Sequence, residues 1–422
     1  MEPQALSSLD AAKREAVFDR DAGIDEIRDD VAAIVEAVRT DGDEALRSFS
    51  REFDGVELDA IDVSDAATAA ADRVEPAARD AISSAIGNVR EFHERQVRED
   101  WTDSVGGRTM GRQFRPIEHV GAYVPGGSAA YPSTAIMTVV PAKVAGVDEV
   151  AVVTPPAEEL NPVSLAAIHL AGADEVYASG GAQAVAALAY GTETVPGVQK
   201  IVGPGNRWVA AAKAEVRGDV AIDMIAGPTE VLVVADGDAD PELVAAELVG
   251  QAEHDPHSSA VAVTPDASLA AAVTGAVDRQ VPERERSDII RDALGNDSSG
   301  VFVAESMDDA TDFADQYAAE HLVVMTDDPE TTLDAIDSAG SVFLGAYSPV
   351  AAGDYAAGPN HVLPTSGAAR TTGGLSVDSF VRSRTVQHLD EDGLASVSDT
   401  VVSLAELEGL EAHAESVRKR FE

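Results

Sequence analysis

The sequence predicts an α/β protein built of two Rossmann-like units, each a parallel sheet covered by helices, with small helical segments at the two ends. Three observations carry this expectation. The chain has 422 residues, too many for one small core. From 117 to 235 short β-branched runs alternate with alanine-rich helical ones, and the alternation returns after 258, as parallel strands joined by crossover helices require. Glycine loops follow several of the runs: "VPGGSAAYPSTA" at 124–135, "SGGAQA" at 179–184 and "VGPGNRW" at 202–208. Loops at the carboxyl ends of parallel strands are where such sheets bind ligands, and their successive N–H groups suit phosphate. None is a complete dinucleotide fingerprint, since Gly203-x-Gly205 lacks the third glycine three residues on.

The elements follow in order. Residues 1 to about 50 read as helices, with apolar positions at Ile24, Ile27, Val31, Ile34, Val35 and Val38 before a turn at Asp41-Gly42. A second helical pattern covers about 66 to 98, and the texture changes after Gly106-Gly107. Strand-like "HVGAYV", "EVAVVTPP", "EVYASGG", "KIVGPG" and "VLVVAD" then alternate with helical "TAIMTVVPAKVAGV", "PVSLAAIHLAGA", "AQAVAALAYG" and "RWVAAAKAEV". Asp240-Pro241 reads as the N-cap and first position of a helix that runs to about His254, where Asp255-Pro256 stops it. The second series is "SAVAVTPD", "ASLAAAVTGAVDRQV", "GVFVAES" and "LVVMTD". From about 372 the chain is polar again and ends in a helix.

Composition excludes several classes of function. Seventy-five acidic side chains oppose 30 basic ones, for a formal net charge of −45, and lysine occurs only at Lys13, Lys143, Lys200, Lys213 and Lys419. Such a surface suits concentrated salt, where the screening length falls from about 10 Å at 0.1 M to roughly 3 Å at 1 M. It leaves no basic stripe for nucleic acid. The absence of cysteine removes disulfides, iron–sulfur clusters and thiol nucleophiles. No apolar run approaches the roughly 20 residues needed to cross a bilayer, and "MEPQALSSLD" is too acidic and polar for a signal peptide, so a cytoplasmic protein without membrane partners is expected.

Reactive side chains concentrate in four places. In "LVGQAEHDPH" Gln251 and His254 are three apart on one helix face, while Glu253 points elsewhere. Taken alone this is equally a polar last turn, with His254 near the negative end of the helix dipole. "YAAEHLVVM" sets Glu320 beside His321 at the mouth of an apolar strand, suited to acid–base work near neutral pH or simply to capping the strand. "AAGDYAAGPNHVLPTSG" at 351–367 reads as a long loop carrying Asp354, Asn360 and His361. "EGLEAH" places Glu408 and His413 on the terminal helix, where His413 by itself is a surface residue. Together Gln251, His254, Asp354 and His413 offer an amide oxygen, two imidazoles and a carboxylate, a borderline set that suits zinc.

"IDMIAGPTEVLVVADGDADPELVAAELVGQAEH" at 222–254 closely resembles the signature of the histidinol dehydrogenase family. "YVPGGSA", "GGAQAVAALAYGTE", "IVGPGN", "EHL", "AGDYAAGPNHVLPTSGAAR" and "EGLEAH" follow in the family's order, so the resemblance runs from about residue 20 to the end. Gly250 departs from the family's usual serine or alanine, and Thr229 stands where many relatives have serine. The resemblance implies two NAD-dependent oxidations taking L-histidinol to L-histidine. It implies one zinc ion per subunit on Gln251, His254, Asp354 and, across an intertwined homodimer, His413. Glu320 and His321 become the acid–base pair, and Tyr123, Gln183 and Asn206 contact NAD. The substrate-contacting set is Thr229, His361 and Glu408 with His321 and the four metal ligands.

The expected division follows: an N-terminal helical segment at 1–22, a first α/β unit of 23–120 with 230–371 holding the metal and acid–base residues, a second at 121–229 holding the NAD loops, and a segment at 372–422 that reaches the partner subunit. Two other readings of the same residues differ in kind. In a zinc hydrolase the four ligands would activate water, with Glu320 as base and no need of NAD. A non-catalytic acidic scaffold would bind neither zinc nor NAD.

Overall fold

The computed structural model describes residues 1–21, 23–126 and 131–422, so residues 127–130 of the first glycine loop lie outside the described residues. Six parallel strands form one sheet in the order Gln4–Ala5, Gly300–Val303, Ser259–Thr264, Glu230–Ala235, His321–Met325 and Ser341–Leu344. Five form a second, also parallel, in the order Glu175–Ala178, Glu149–Thr154, His119–Tyr123, Lys200–Val202 and Ala221–Ile222. The α/β expectation therefore holds.

Both faces of each sheet are covered, which is why the strands read as nearly unbroken apolar runs. Val231, Val233 and Ala235 pack with the helices Pro241–Ala252 and Ala267–Gln280, whereas Leu232 and Val234 point the other way, toward Met307–Tyr317. In the second sheet Val120, Ala122, Val150 and Val152 meet the helices Pro132–Ala145 and Pro162–Ala171, while Tyr123, Ala151 and Val153 meet Gly181–Tyr190 and Arg207–Val216. Each such Val or Leu contributes about 1.5–3 kcal/mol when fully withdrawn from water.

Several boundaries differ from the sequence reading. Helices at Arg28–Asp41, Ser64–Arg73 and Pro76–Glu94 pack on the five-stranded sheet, through Val31, Ile34, Val35 and Val38 on one face and Ala67, Ala70, Ile82 and Val89 on the other. Grouping 23–120 with 230–371 therefore does not follow the packing; an apolar stripe says that a helix face is buried, not against which sheet. The pattern at 66–98 is two helices because Pro76 opens a new one. The N-terminal segment is not wholly helical: Gln4–Ala5 adds an edge strand beside Phe302 and Val303. Residues 351–367 are not all loop, since Val350–Tyr355 is helical and carries Asp354. The terminal helix is broken at Gly409, in the left-handed region at φ +74°, so Glu408 caps Glu391–Leu407 and His413 belongs to Glu411–Arg418.

A third sheet escaped the sequence reading. Trp101–Val105, Arg108–Pro116 and Val381–Leu389 pair antiparallel, the first two joined through Gly106-Gly107. The outer strands Trp101–Val105 and Val381–Leu389 are largely exposed, and Arg108–Pro116 is half-buried with three arginines, so no apolar alternation announces them. Among the described residues no helix is long and apolar enough to cross a membrane.

Candidate active site

Glu320 and His321 enter the six-stranded sheet at its amino edge. The helix Met307–Tyr317 ends at Ala318, in the left-handed region at φ 53°, and that turn delivers Glu320 just ahead of the strand His321–Met325. Both side chains are buried. His321 pairs across the sheet with Val231, and its Nδ1 donates to the Glu230 carbonyl at 3.1 Å. Its Nε2 is thereby the basic nitrogen, buried without a hydrogen-bond partner and 3.6 Å from Asp354 Oδ1. Glu320 Oε2 accepts from the Thr229 hydroxyl at 2.6 Å and from the Glu230 amide at 2.9 Å.

The electrostatics follow from burial. Desolvation raises the Glu320 carboxyl above its ordinary range, although His321 and the Thr229 hydroxyl pull it down. For His321 burial works downward, but Glu320, Asp354 and Glu247 outweigh it and hold the imidazole above its usual value. The two form a coupled acid and base within 3.7 Å of each other.

Three of the four expected metal ligands, Gln251, His254 and Asp354, approach this pair from a helix and a short helical turn. Asp240 caps the helix Pro241–Ala252 by accepting from Glu242 N at 2.9 Å, with Pro241 as the first helical residue. Buried Gln251 stands in its last turn and donates from Nε2 to the Thr229 hydroxyl at 2.7 Å, which leaves the amide oxygen as a donor atom. His254 follows, exposed and electrostatically coupled to Asp354 and Glu320. Burial opposes ionisation of Asp354, yet the His321 imidazole 3.6 Å away, with those of His361 and His254, holds its carboxyl below the usual range. His361 Nδ1 donates to the Asp354 carbonyl at 2.9 Å. Among the described residues no three His, Cys, Asp or Glu side chains form a metal-holding group. Within one chain the set is an amide oxygen, an imidazole and a carboxylate beside the unpartnered His321 Nε2; these donors fit zinc with further ligands supplied from outside.

The NAD-contacting candidates lie at the opposite kind of edge, the carboxyl ends of the five-stranded sheet. Tyr123 ends its strand and its hydroxyl accepts from Gly181 N at 3.1 Å. Gln183 is buried in the first turn of Gly181–Tyr190. Asn206 caps Arg207–Val216, accepting from Trp208 N at 3.0 Å and Val209 N at 3.2 Å, so its amide nitrogen is left for other partners. Glu408 and His413 are exposed on the C-terminal arm, and among the described residues neither touches the cluster around Glu320 by hydrogen bond or ion pair.

Sequence reasoning missed the support beneath the pair. Arg20 forms a fully buried ion pair with Glu230, donates to the Tyr317 carbonyl at 2.8 Å, and stacks 3.9 Å from the Tyr317 ring centre. Glu230 also accepts from Ser366 N at 2.6 Å. A carboxylate opening the apolar run "EVLVVA" was the available signal, because such a residue requires a buried cationic partner. Glu247, one turn before Gln251, accepts from Val350 N at 3.1 Å and was equally unremarked.

Comparison with known proteins places the site in context. The family model described as histidinol dehydrogenase matches residues 19–421. The histidinol dehydrogenase of Haloarcula marismortui is 64% identical over 422 residues, covering 100% of both chains. That of Halobacterium salinarum is 60% identical over 423 residues, again covering 100% of each. The crystal structure of histidinol dehydrogenase from Elizabethkingia anophelis superposes with a TM-score of 0.93 at 37% identity, covering 100% of this chain and 98% of that one.

Proposed function

The chain belongs to the histidinol dehydrogenase family, the dehydrogenases of histidine biosynthesis, and on that premise we propose that it takes L-histidinol through bound histidinal to L-histidine with NAD and zinc. The observation that carries the reading is the buried Glu320–His321 pair tied through one hydroxyl, that of Thr229, to Gln251. Membership of an oxidoreductase family sets aside the hydrolase and the scaffold.

NAD, when bound, supplies the acceptor for two successive hydrides, with Tyr123, Gln183 and Asn206 as its contacts. Zinc would sit on Gln251, His254, Asp354 and the partner subunit's His413, and would fix the substrate through its imidazole and amine rather than activate its alcohol. His321 Nε2 takes the alcohol proton as the first hydride leaves carbon. Many aldehyde dehydrogenases pass through a thiohemiacetal, which a chain without cysteine cannot form. Water therefore adds directly to histidinal: Glu320, its carboxyl raised above the ordinary range by burial, takes the water proton, and protonated His321 returns the alcohol proton to the aldehyde oxygen, which completes the hydrate and frees Nε2. The hydrate gives up the second hydride while its hydroxyl proton passes to His321. Thr229, His361 and the partner subunit's Glu408 hold the substrate. Closing the site around the aldehyde protects it between the two steps.

A homodimer with exchanged C-terminal arms accounts for the distance of Glu408 and His413 from their own chain's cluster. Leu404, Leu407 and Leu410 on that arm are 54%, 82% and 45% exposed, an apolar surface suited to burial against a second copy. The enzyme so described works in the cytoplasm at high salt.

The test is NADH formation from histidinol in molar salt, with and without a chelator. Two NADH per histidinol and loss with the chelator are expected. His321→Asn should depress the alcohol step, and Glu320→Gln should depress oxidation of supplied histidinal more than of histidinol. Equal, negligible effects of both substitutions refute the assignment.

A further inference from the structure

We propose that the buried ion pair of Lys213 and Asp223 is a positioning clamp for the dinucleotide, setting the Gly203 turn and joining it to the crossover that carries Thr229. The inference rests on reading the 202–206 loop as an NAD contact. Lys213 lies on the helix Arg207–Val216 and Asp223 directly follows the strand Ala221–Ile222; their side chains are 2% and 1% exposed. Lys213 Nζ donates to Asp223 Oδ1 and to the Gly203 carbonyl, each at 2.6 Å. Gly203 N in turn donates to Asp223 Oδ2 at 2.7 Å, and Met224 N to Asp223 Oδ1 at 2.6 Å.

Both polar backbone groups of Gly203 are thus taken by one buried pair. Gly203 stands at φ +106°, and a Cβ there would collide with the Tyr123 carbonyl oxygen, so the turn is pressed against a second NAD candidate. Three residues on, Asn206 is fixed by capping the same helix that carries Lys213. A buried ion pair is a poor device for stability alone, since apolar residues of similar volume often serve as well. Here the hydrogen bonds of the pair end on loop and crossover backbone, so what it determines is where those atoms stand. Asp223 opens the crossover 223–229, whose far end presents Thr229 to Glu320. The clamp therefore holds the cofactor loop in register with the acid–base pair.

The decisive variant is Lys213→Met with Asp223→Asn, which neutralises both partners and keeps an amide oxygen for Gly203 N–H. NAD affinity is read by calorimetry on the zinc-loaded protein in molar salt, alongside KM for NAD and for histidinol. At least a tenfold weaker NAD Kd, with the KM for histidinol changed less than about twofold, is expected. A folded variant whose NAD Kd stays within about twofold of the parent, or whose two KM values rise together, overturns the clamp. Lys213→Arg should recover part of the affinity. Hydrogen exchange on the unaltered protein covers the case in which the variants do not fold: the peptide spanning 201–209 should be as protected without NAD as with it, and protection gained only with NAD overturns the proposal. Asn206→Ala reports on the reading beneath: if it retains parent NAD affinity, the loop is not an NAD contact and the clamp falls with it.

Discussion

Thr229→Val removes one oxygen and keeps the shape of the side chain, and that oxygen links Glu320, the proposed general base, to Gln251, a proposed metal ligand. It donates to Glu320 Oε2 at 2.6 Å and accepts from Gln251 Nε2 at 2.7 Å. A hydrogen bond to a charged group contributes about 1.5–3 kcal/mol. Without it the Glu320 carboxylate keeps, among the described residues, the Glu230 amide as its close donor, burial is less well opposed, and the ionised form is costlier. At about 1.4 kcal/mol per factor of ten, histidinal oxidation should slow roughly 10- to 150-fold. The Gln251 amide also loses its acceptor, which loosens one zinc donor, so the assay supplies saturating zinc to separate the two effects. Rates with histidinal and with histidinol are compared at molar salt. Thr229→Ser, which retains the hydroxyl, should stay within about threefold of the parent. A folded Thr229→Val that oxidises histidinal at nearly the parent rate refutes the reasoning, and so does a serine variant as slow as the valine one.

Arg20→Met leaves Glu230 buried without its cation and should cost about 3–5 kcal/mol in urea unfolding. Adding Glu230→Gln should recover most of the loss, and an unchanged midpoint in the single variant counts against the pair. Burial raises the Asp43 carboxyl, but the hydroxyls of Thr192 and Thr194, the Thr194 amide and Arg47 outweigh it and leave it below its ordinary 3.8. Its stabilisation is therefore complete above that value and lost as pH falls through the lower, folded one. Asp43→Asn should flatten this acid limb of a stability–pH curve, whereas an unaltered limb shows that other carboxylates govern it. Desalting should unfold the protein through self-repulsion of its −45 net charge; a circular dichroism spectrum and thermal midpoint unchanged between molar and millimolar salt would contradict this.

The legible parts of this fold are those in which local pattern and burial coincide. Strands such as Glu230–Ala235 are buried on both faces, so they read as continuous apolar runs, and Asp240-Pro241 announces its helix because capping is a local hydrogen bond. The three-stranded antiparallel sheet was illegible because its two outer strands are largely exposed and the third strand, Val381–Leu389, lies far in sequence from the hairpin it joins. Which sheet the helices of 28–94 cover depends on tertiary packing, which periodicity does not encode. Among the expected site residues, Glu320, His321, Gln251, Asp354 and Thr229 lie together in the structure. Arg20 and Glu230 were missed because a buried charge is recognised only with its partner, and these two are separated by most of the N-terminal half of the chain.

The two sheets contribute opposite ends to the candidate site, and this explains why no single stretch of sequence declares it. Parallel strands ordinarily offer ligands their carboxyl ends, and the five-stranded sheet carries the proposed NAD contacts Tyr123, Gln183 and Asn206 at that edge. The six-stranded sheet instead offers its amino edge, where His321 and Glu230 are the first residues of neighbouring strands. One crossover, residues 223–229, leaves the first edge and enters the second, and seven residues reach at most about 25 Å. In the proposed function, hydride passes between a cofactor at one edge and a substrate at the other, and that short tether sets their alignment. Side chains hold it at both ends and between: Asp223 accepts from Gly203 N and Met224 N, Thr365 accepts from Gly227 N, and Glu320 accepts from the Thr229 hydroxyl and the Glu230 amide. Lengthening the tether by one residue would leave both half-sites intact and misalign them, so its effect should fall on kcat for both oxidations while zinc and NAD each still bind.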